Sequence, residues 1–166
     1  MNAPFRIEEV KFLNEIKAII TEHYWMLPPK ITNIELSNSD EDTKESFDLT
    51  YKSKVDISVR IRDNKMLTYC DFTIRCRSLY GNKTEIDKLK EGKGSVYLYA
   101  WKSIDNTRLE AWILVDINKF RSVLTEYETK EIPNADGTKF KAYPIKLLHK
   151  HDAVIQCYNL PEWIVF

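Results

Sequence analysis

The run Val96-Tyr97-Leu98-Tyr99-Ala100-Trp101 constrains this chain more than any other stretch of it. Unbroken apolar residues suit a strand covered on both faces, because a strand with one wet face would alternate. Asp105-Asn106 then turns the chain, and Ala111 to Val115 supplies another buried strand. A sheet buried on both sides needs other elements packed on each face, and helices occur in the right places.

Residues 5 to 24 place Ile7, Val10, Leu13, Ile16, Ile19 and Ile20 at three- and four-residue spacing, an amphipathic helix that Leu27-Pro28-Pro29 stops. Thr84-Glu85-Ile86-Asp87 reads as a capping box, with Thr84 bonding the amide three residues on and Asp87 reaching back. Its helix runs to about Gly92 or Gly94. Asp116 caps a further helix through about Leu124. The polar, acidic stretch 37 to 46 is expected to be an exposed connector.

Phe47 to Tyr51 and Val55 to Ile61 alternate apolar with polar, Arg62-Asp63-Asn64-Lys65 offers a turn, and Leu67 to Arg77 reads as a returning strand. The expectation is an antiparallel hairpin of 55–61 with 67–77, packed on the first helix. Farther on, Asn134 to Gly137 is a turn, Phe140 to Leu148 a strand, and Asp152 to Phe166 an apolar end docked on the body. The fold class is therefore α/β, a mixed central sheet flanked by helices. The 166 residues form one domain, with a core at about 5–124 and an appendage at 125–166.

Composition removes several functions. Lys plus Arg equal Asp plus Glu at 25 each, so any attraction to nucleic acid must be local. Cys70, Cys76 and Cys157 form no CxxC pair, which suits a reducing compartment and argues against zinc. The Cys70 and Cys76 side chains are expected in the core, and His149 and His151 in solvent. The start MNAPFRIEEV lacks the apolar core of an export signal, and no apolar run is long enough to span a bilayer. The expected location is intracellular and cytoplasmic, with no membrane partner. No Gly-x-Gly-x-x-Gly, P-loop, Gly-x-Ser-x-Gly or His-Glu-x-x-His string occurs.

The chemistry concentrates in the middle third. Alternation puts Asp56, Ser58 and Arg60 on one strand face, and Asp71, Thr73, Arg75 and Arg77 on one face of the next. Carboxylates projecting together are the usual oxygen ligands of Mg²⁺, and an adjacent cation stabilises charge developing on a phosphate. The same alternation also describes the wet side of an ordinary hairpin. Between residues 56 and 93, nine Lys and Arg face six Asp and Glu, a local excess of three positive charges. Tyr97, Tyr99 and Trp101 read as core aromatics.

A helix, then Val55-Asp56-Ile57, then Phe72-Thr73-Ile74-Arg75 resembles the core of the PD-(D/E)XK, or restriction-endonuclease-like, superfamily. Within it the chain is most similar to small phage-type proteins, through Lys83-Thr84-Glu85-Ile86-Asp87-Lys88, Val96 to Trp101, and Trp112-Ile113-Leu114-Val115-Asp116-Ile117-Asn118-Lys119-Phe120-Arg121. The resemblance covers about residues 5 to 124. It implies a Mg²⁺-dependent nuclease acting on DNA or RNA phosphodiesters, with Asp56 as the first metal-binding acid. Where the family has an acid, any residue, then Lys, this chain has Thr73-Ile74-Arg75. Asp71 or Glu85 stands in for the acid, and Glu9 or Glu15 could complete the set. Arg75 keeps its charge and cannot serve as a tunable base, so its role would be to stabilise the transition state. Arg60, Arg77 and Lys83 are the remaining candidates for nucleic-acid contact. These departures equally suit a lapsed, nuclease-like phage accessory protein that binds nucleic acid or a host or phage protein.

Overall fold

The computed structural model describes residues 10–23, 26, 34–36, 49–51 and 57–162. Their elements run α1 (Leu13–Glu22), β1 (Ile34–Leu36), β2 (Leu49–Tyr51), β3 (Ile57–Arg62), a 3-10 segment (Asn64–Tyr69), β4 (Asp71–Arg77), α2 (Glu85–Lys90), β5 (Val96–Lys102), β6 (Leu109–Asp116), α3 (Ile117–Glu126), β7 (Glu131–Pro133), β8 (Lys139–Pro144), α4 (Ile145–Lys150) and β9 (Val154–Tyr158). One sheet of six strands has the order β1-β2-β3-β5-β6-β9, and a second has the order β4-β8-β7. The large sheet is mixed: β3 and β5 run parallel, and the other neighbours run antiparallel. The α/β class with a mixed, helix-flanked sheet is thus the observed architecture.

β5 occupies the position its composition demands. Val96, Leu98 and Ala100 face one core, with Ile57, Val59, Leu114 and the α1 residues Ile16, Ile19 and Ile20. Tyr97, Tyr99 and Trp101 face the other, with Phe72, Ile74, Ile113, Phe120 and Tyr143. Phe72 stands edge-on to Tyr97, Tyr99 and Phe120, with ring centroids 4.9–5.2 Å apart. Such T-shaped contacts add stabilisation beyond area burial. α1 covers one face of the large sheet, while the small sheet, α2, α3 and α4 cover the other.

The hairpin of 55–61 with 67–77 does not form. β3 pairs with β2 and β5, and β4 pairs instead with β8 along Asp71↔Pro144 to Arg77↔Lys139. Residues 64–69, read as the end of a turn and the start of a strand, are 3-10 helix. Met66 and Leu67 turn into the core there, and Cys70, in the left-handed conformation at φ 50°, redirects the chain into the second layer. Burying those apolar residues defeats the tight turn that a hairpin needs. Residues 140–148 are likewise divided, between β8 and the helix α4.

The chain after residue 125 completes both sheets, since β7 and β8 extend the small one and β9 pairs with β6. Glu15 supports the fold, its carboxylate accepting the Leu109 N–H at 2.8 Å. Cys70 is buried and Cys76 packs against the same core. His149 corrects the expectation of a solvated ring: it is partly buried, its Nε2 has no hydrogen-bond partner, and burial pushes its pKa down. Glu9, Asp56 and the acidic stretch 37–46 lie outside the described residues.

Candidate functional site

Parallel pairing of β3 with β5 sets Ser58 beside Tyr97, Arg60 beside Tyr99 and Arg62 beside Trp101. Residues in register share a face, so the polar side of β3 points into the same layer as the tyrosines, toward β4 and α2. A polar seam results between the two sheets. Arg60 crosses it: one guanidinium nitrogen donates to the Thr73 carbonyl at 3.2 Å and the other to Glu85 Oε2 at 2.6 Å.

Glu85 is the hub. Its Oε2 also accepts the Arg75 backbone N–H at 3.0 Å, and its Oε1 accepts the Tyr97 hydroxyl. The capping box delivers it there. Asp87 N–H donates to Thr84 Oγ1, and the Asp87 carboxylate accepts the Thr84 N–H at 2.9 Å and its hydroxyl at 2.7 Å. Those bonds hold the Asp87 pKa down. They also fix the first turn of α2, from which Glu85 projects to the seam. At the other end, Arg121 of α3 binds the carbonyls of Leu89, Lys93 and Gly94 at 2.7–2.9 Å. One guanidinium therefore ties down the whole exit from α2.

Deeper in the seam, Thr73 Oγ1 and the Tyr99 hydroxyl share a buried 2.7 Å hydrogen bond. Burial pushes the Tyr99 hydroxyl pKa up, so it stays neutral. Asp71, at the start of β4, is partly buried; desolvation raises its carboxyl pKa, and the nearby Arg62 opposes the rise. Tyr99 lies within the fields of Arg60, Arg62 and Asp71 alike.

Of the residues singled out from sequence, Arg60, Arg75 and Glu85 are thus joined by direct bonds, with Asp71 on the flank beside Arg62. Arg77 and Lys83 are not part of that group. Arg77 pairs with Glu131 at 3.4 Å on the small sheet, and Lys83 pairs with Glu91 at 2.6 Å on the surface. Arg75 contributes its backbone N–H at the hub, and its charge helps to lower the pKa of Asp136 in the β7–β8 turn, after two Thr138 hydrogen bonds. Tyr97 and Tyr99, read as plain core aromatics, are site residues through their hydroxyls. Their alternation along β5 was legible, and their sharing a face with Ser58, Arg60 and Arg62 follows from the β3–β5 register.

Magnesium does not fit Glu85 as arranged. Both carboxylate oxygens already accept hydrogen bonds, and one carries the Arg60 ion pair. Among the described residues, no cluster of three or more His, Cys, Asp or Glu side chains is placed to hold a metal ion. Elsewhere, Ser95, Asp116, Lys119, His149 and Asp152 line a cavity of about 490 Å³, and Asp116 is engaged there as the N-cap of α3. No described helix is long and apolar enough to cross a membrane. Comparison with protein-family models, curated proteins and solved structures found no match for this chain.

Proposed function

We propose that the chain is a nuclease-like domain that grips nucleic-acid phosphates at the seam and does not cut them. The supporting observation is that Arg60 and Arg62 of β3 project into the layer where Asp71 and Thr73 of β4 meet Tyr99 of β5. Guanidiniums fixed by neighbouring acids and carbonyls present N–H groups in a rigid fork suited to phosphate oxygens. Glu85 serves as the buried anchor of that arrangement.

Metal-assisted hydrolysis by Asp71 and Glu85, with Asp56 as a further ligand, is the second reading. The observation in its favour is the desolvated Asp71 carboxylate, which would gain from a cation. Against it stands the Arg60–Glu85 pair, which would have to open before Glu85 could act as a metal ligand.

The two readings separate in one experiment. Wild type, Arg62→Gln and Glu85→Gln are mixed with DNA and RNA, single- and double-stranded, in Mg²⁺ and Mn²⁺. Salt-dependent binding without cleavage is expected, weakened about 3- to 10-fold by Arg62→Gln with a shallower salt slope. Cleavage that Glu85→Gln abolishes would replace the proposal with the nuclease reading. Tight capture of a phage or host protein with no nucleic-acid binding would replace both with an accessory role.

A further inference from the structure

Two tyrosines lie in solvent at opposite ends of β4. Tyr69, the last residue of the 3-10 segment, is 67% exposed, and Tyr80, just past the strand, is 85% exposed. Most other aromatics on this side of the large sheet, including Phe72, Tyr97, Tyr99, Trp101, Phe120 and Tyr143, are buried; Phe140 is partly buried, and Tyr127 at the end of α3 is 42% exposed. β4 has seven residues, so about 20 Å of strand separates its ends.

The surface between the tyrosines is mainly cationic. At the Tyr69 end lie Lys65, exposed on the same 3-10 segment that turns Met66 and Leu67 inward, and Arg62, whose charge is felt at Asp71 two residues beyond Tyr69. Toward Tyr80 come Arg75 and Arg77 of β4 and Lys139 of β8. Glu131 pairs with both Arg77 and Lys139, and Asp136 lies near Arg75. Five cations thus face four acids, Asp63, Asp71, Glu131 and Asp136, before Lys102, which pairs with Asp63, and Lys141, which lies near Glu131, are added. Tyr80 is carried beside the β7–β8 turn, because its neighbour Leu79 packs against Gly137 so closely that a Cβ there would meet it at 2.9 Å.

We infer that the ligand gripped at the seam is single-stranded nucleic acid, its backbone following β4 and its bases stacking on Tyr69 and Tyr80; this rests on the phosphate-binding reading above. An exposed ring offers stacking only to bases that are not already stacked in a duplex, and every base has a face to stack. Cations between two aromatic platforms, rather than at one point, match a backbone that passes from one to the other.

The test uses the full chain and fluorescein-labelled oligothymidylate and oligouridylate of about ten residues, against a mixed-sequence duplex of equal length, read by anisotropy. Single strands are expected to bind at least about tenfold more tightly than the duplex. Tyr69→Ala and Tyr80→Ala should each weaken single-strand binding about 5- to 100-fold and leave duplex binding unchanged. Tyr69→Phe and Tyr80→Phe should restore it, because the ring and not the hydroxyl does the stacking. Both sites are solvent-exposed, and unchanged circular dichroism establishes that the variants fold. Single-strand binding indifferent to all four substitutions, or equal affinity for duplex, overturns this inference and leaves phosphate binding standing. No binding to any nucleic acid overturns both.

Discussion

Glu85 and Arg60 lie 25 residues apart in the chain and 2.6 Å apart in the fold, joining the first turn of α2 to the middle of β3 across the seam. Their side chains are only 14% and 21% exposed. Removing one partner strands a largely buried charge, whereas replacing both with apolar groups removes the problem. Arg60→Met should destabilise the protein by about 2–4 kcal/mol, and Arg60→Met with Glu85→Leu by less than the sum of the two single changes, since Glu85→Leu also frees the Tyr97 hydroxyl and the Arg75 N–H. Urea denaturation of the two single variants and the double measures the difference. Strictly additive costs would show that the pair is not the unit described.

The Thr73–Tyr99 hydrogen bond gives a second asymmetry. Tyr99→Phe leaves the buried Thr73 hydroxyl without its partner and should cost about 1–2 kcal/mol. Adding Thr73→Val, which removes the orphaned hydroxyl as well, should recover at least half of that loss. If the second change only adds to the first, the hydroxyls do not depend on one another.

Asp71 makes stability depend on pH with a definite sign. Burial raises its carboxyl pKa in the folded state, so the folded protein holds that proton more tightly than the unfolded chain. The stabilising effect of protonation is then present at low pH and lost as pH rises through the folded-state value. Asp71→Asn, neutral throughout, should gain on wild type between about pH 3 and pH 7. Denaturation midpoints of both proteins across that range give the answer, and a gap that narrows toward neutrality contradicts the assignment.

The helix carrying Glu85 depends on its cap. Thr84→Ala removes the side-chain acceptor for the Asp87 amide and should cost about 1 kcal/mol, whereas Thr84→Ser should cost little. Because Glu85 is the next residue, amide exchange at Arg75, whose N–H donates to Glu85, should quicken in the Ala variant. Unchanged protection at Arg75 would mean that the cap does not position Glu85.

Arg121 makes the corresponding contact at the far end. Lys at that position can reach one carbonyl but cannot fork across Leu89, Lys93 and Gly94. Arg121→Lys is expected to lower stability by about 1–2 kcal/mol, seen as a reduced urea midpoint with an unchanged slope. Full stability in the Lys variant would show that one carbonyl contact suffices.

Features set within a few residues were legible in the sequence. The apolar run of β5, the Thr84–Asp87 capping box, the Asp116 cap of α3 and the shared face of Ser58 and Arg60 all depend on local spacing, and each appears in the structure. The magnesium role of Glu85 came from the family resemblance, and a short motif does not reveal which side chain will arrive opposite. Arg60 arrives there because β3 lies beside β5.

Alternation in a strand fixes which residues share a face, and by itself it says nothing about which strand comes alongside. The sequence determined that Asp71 to Arg77 would be extended with Phe72 and Ile74 turned inward. Only the tertiary structure decided that its partner would be β8, with Phe72 set against Tyr143. The physical reason is that strand pairing is settled by the burial available to the whole chain. Turning Met66 and Leu67 into the core separates β3 from β4, and the strand so released closes the layer over Tyr97, Tyr99 and Trp101.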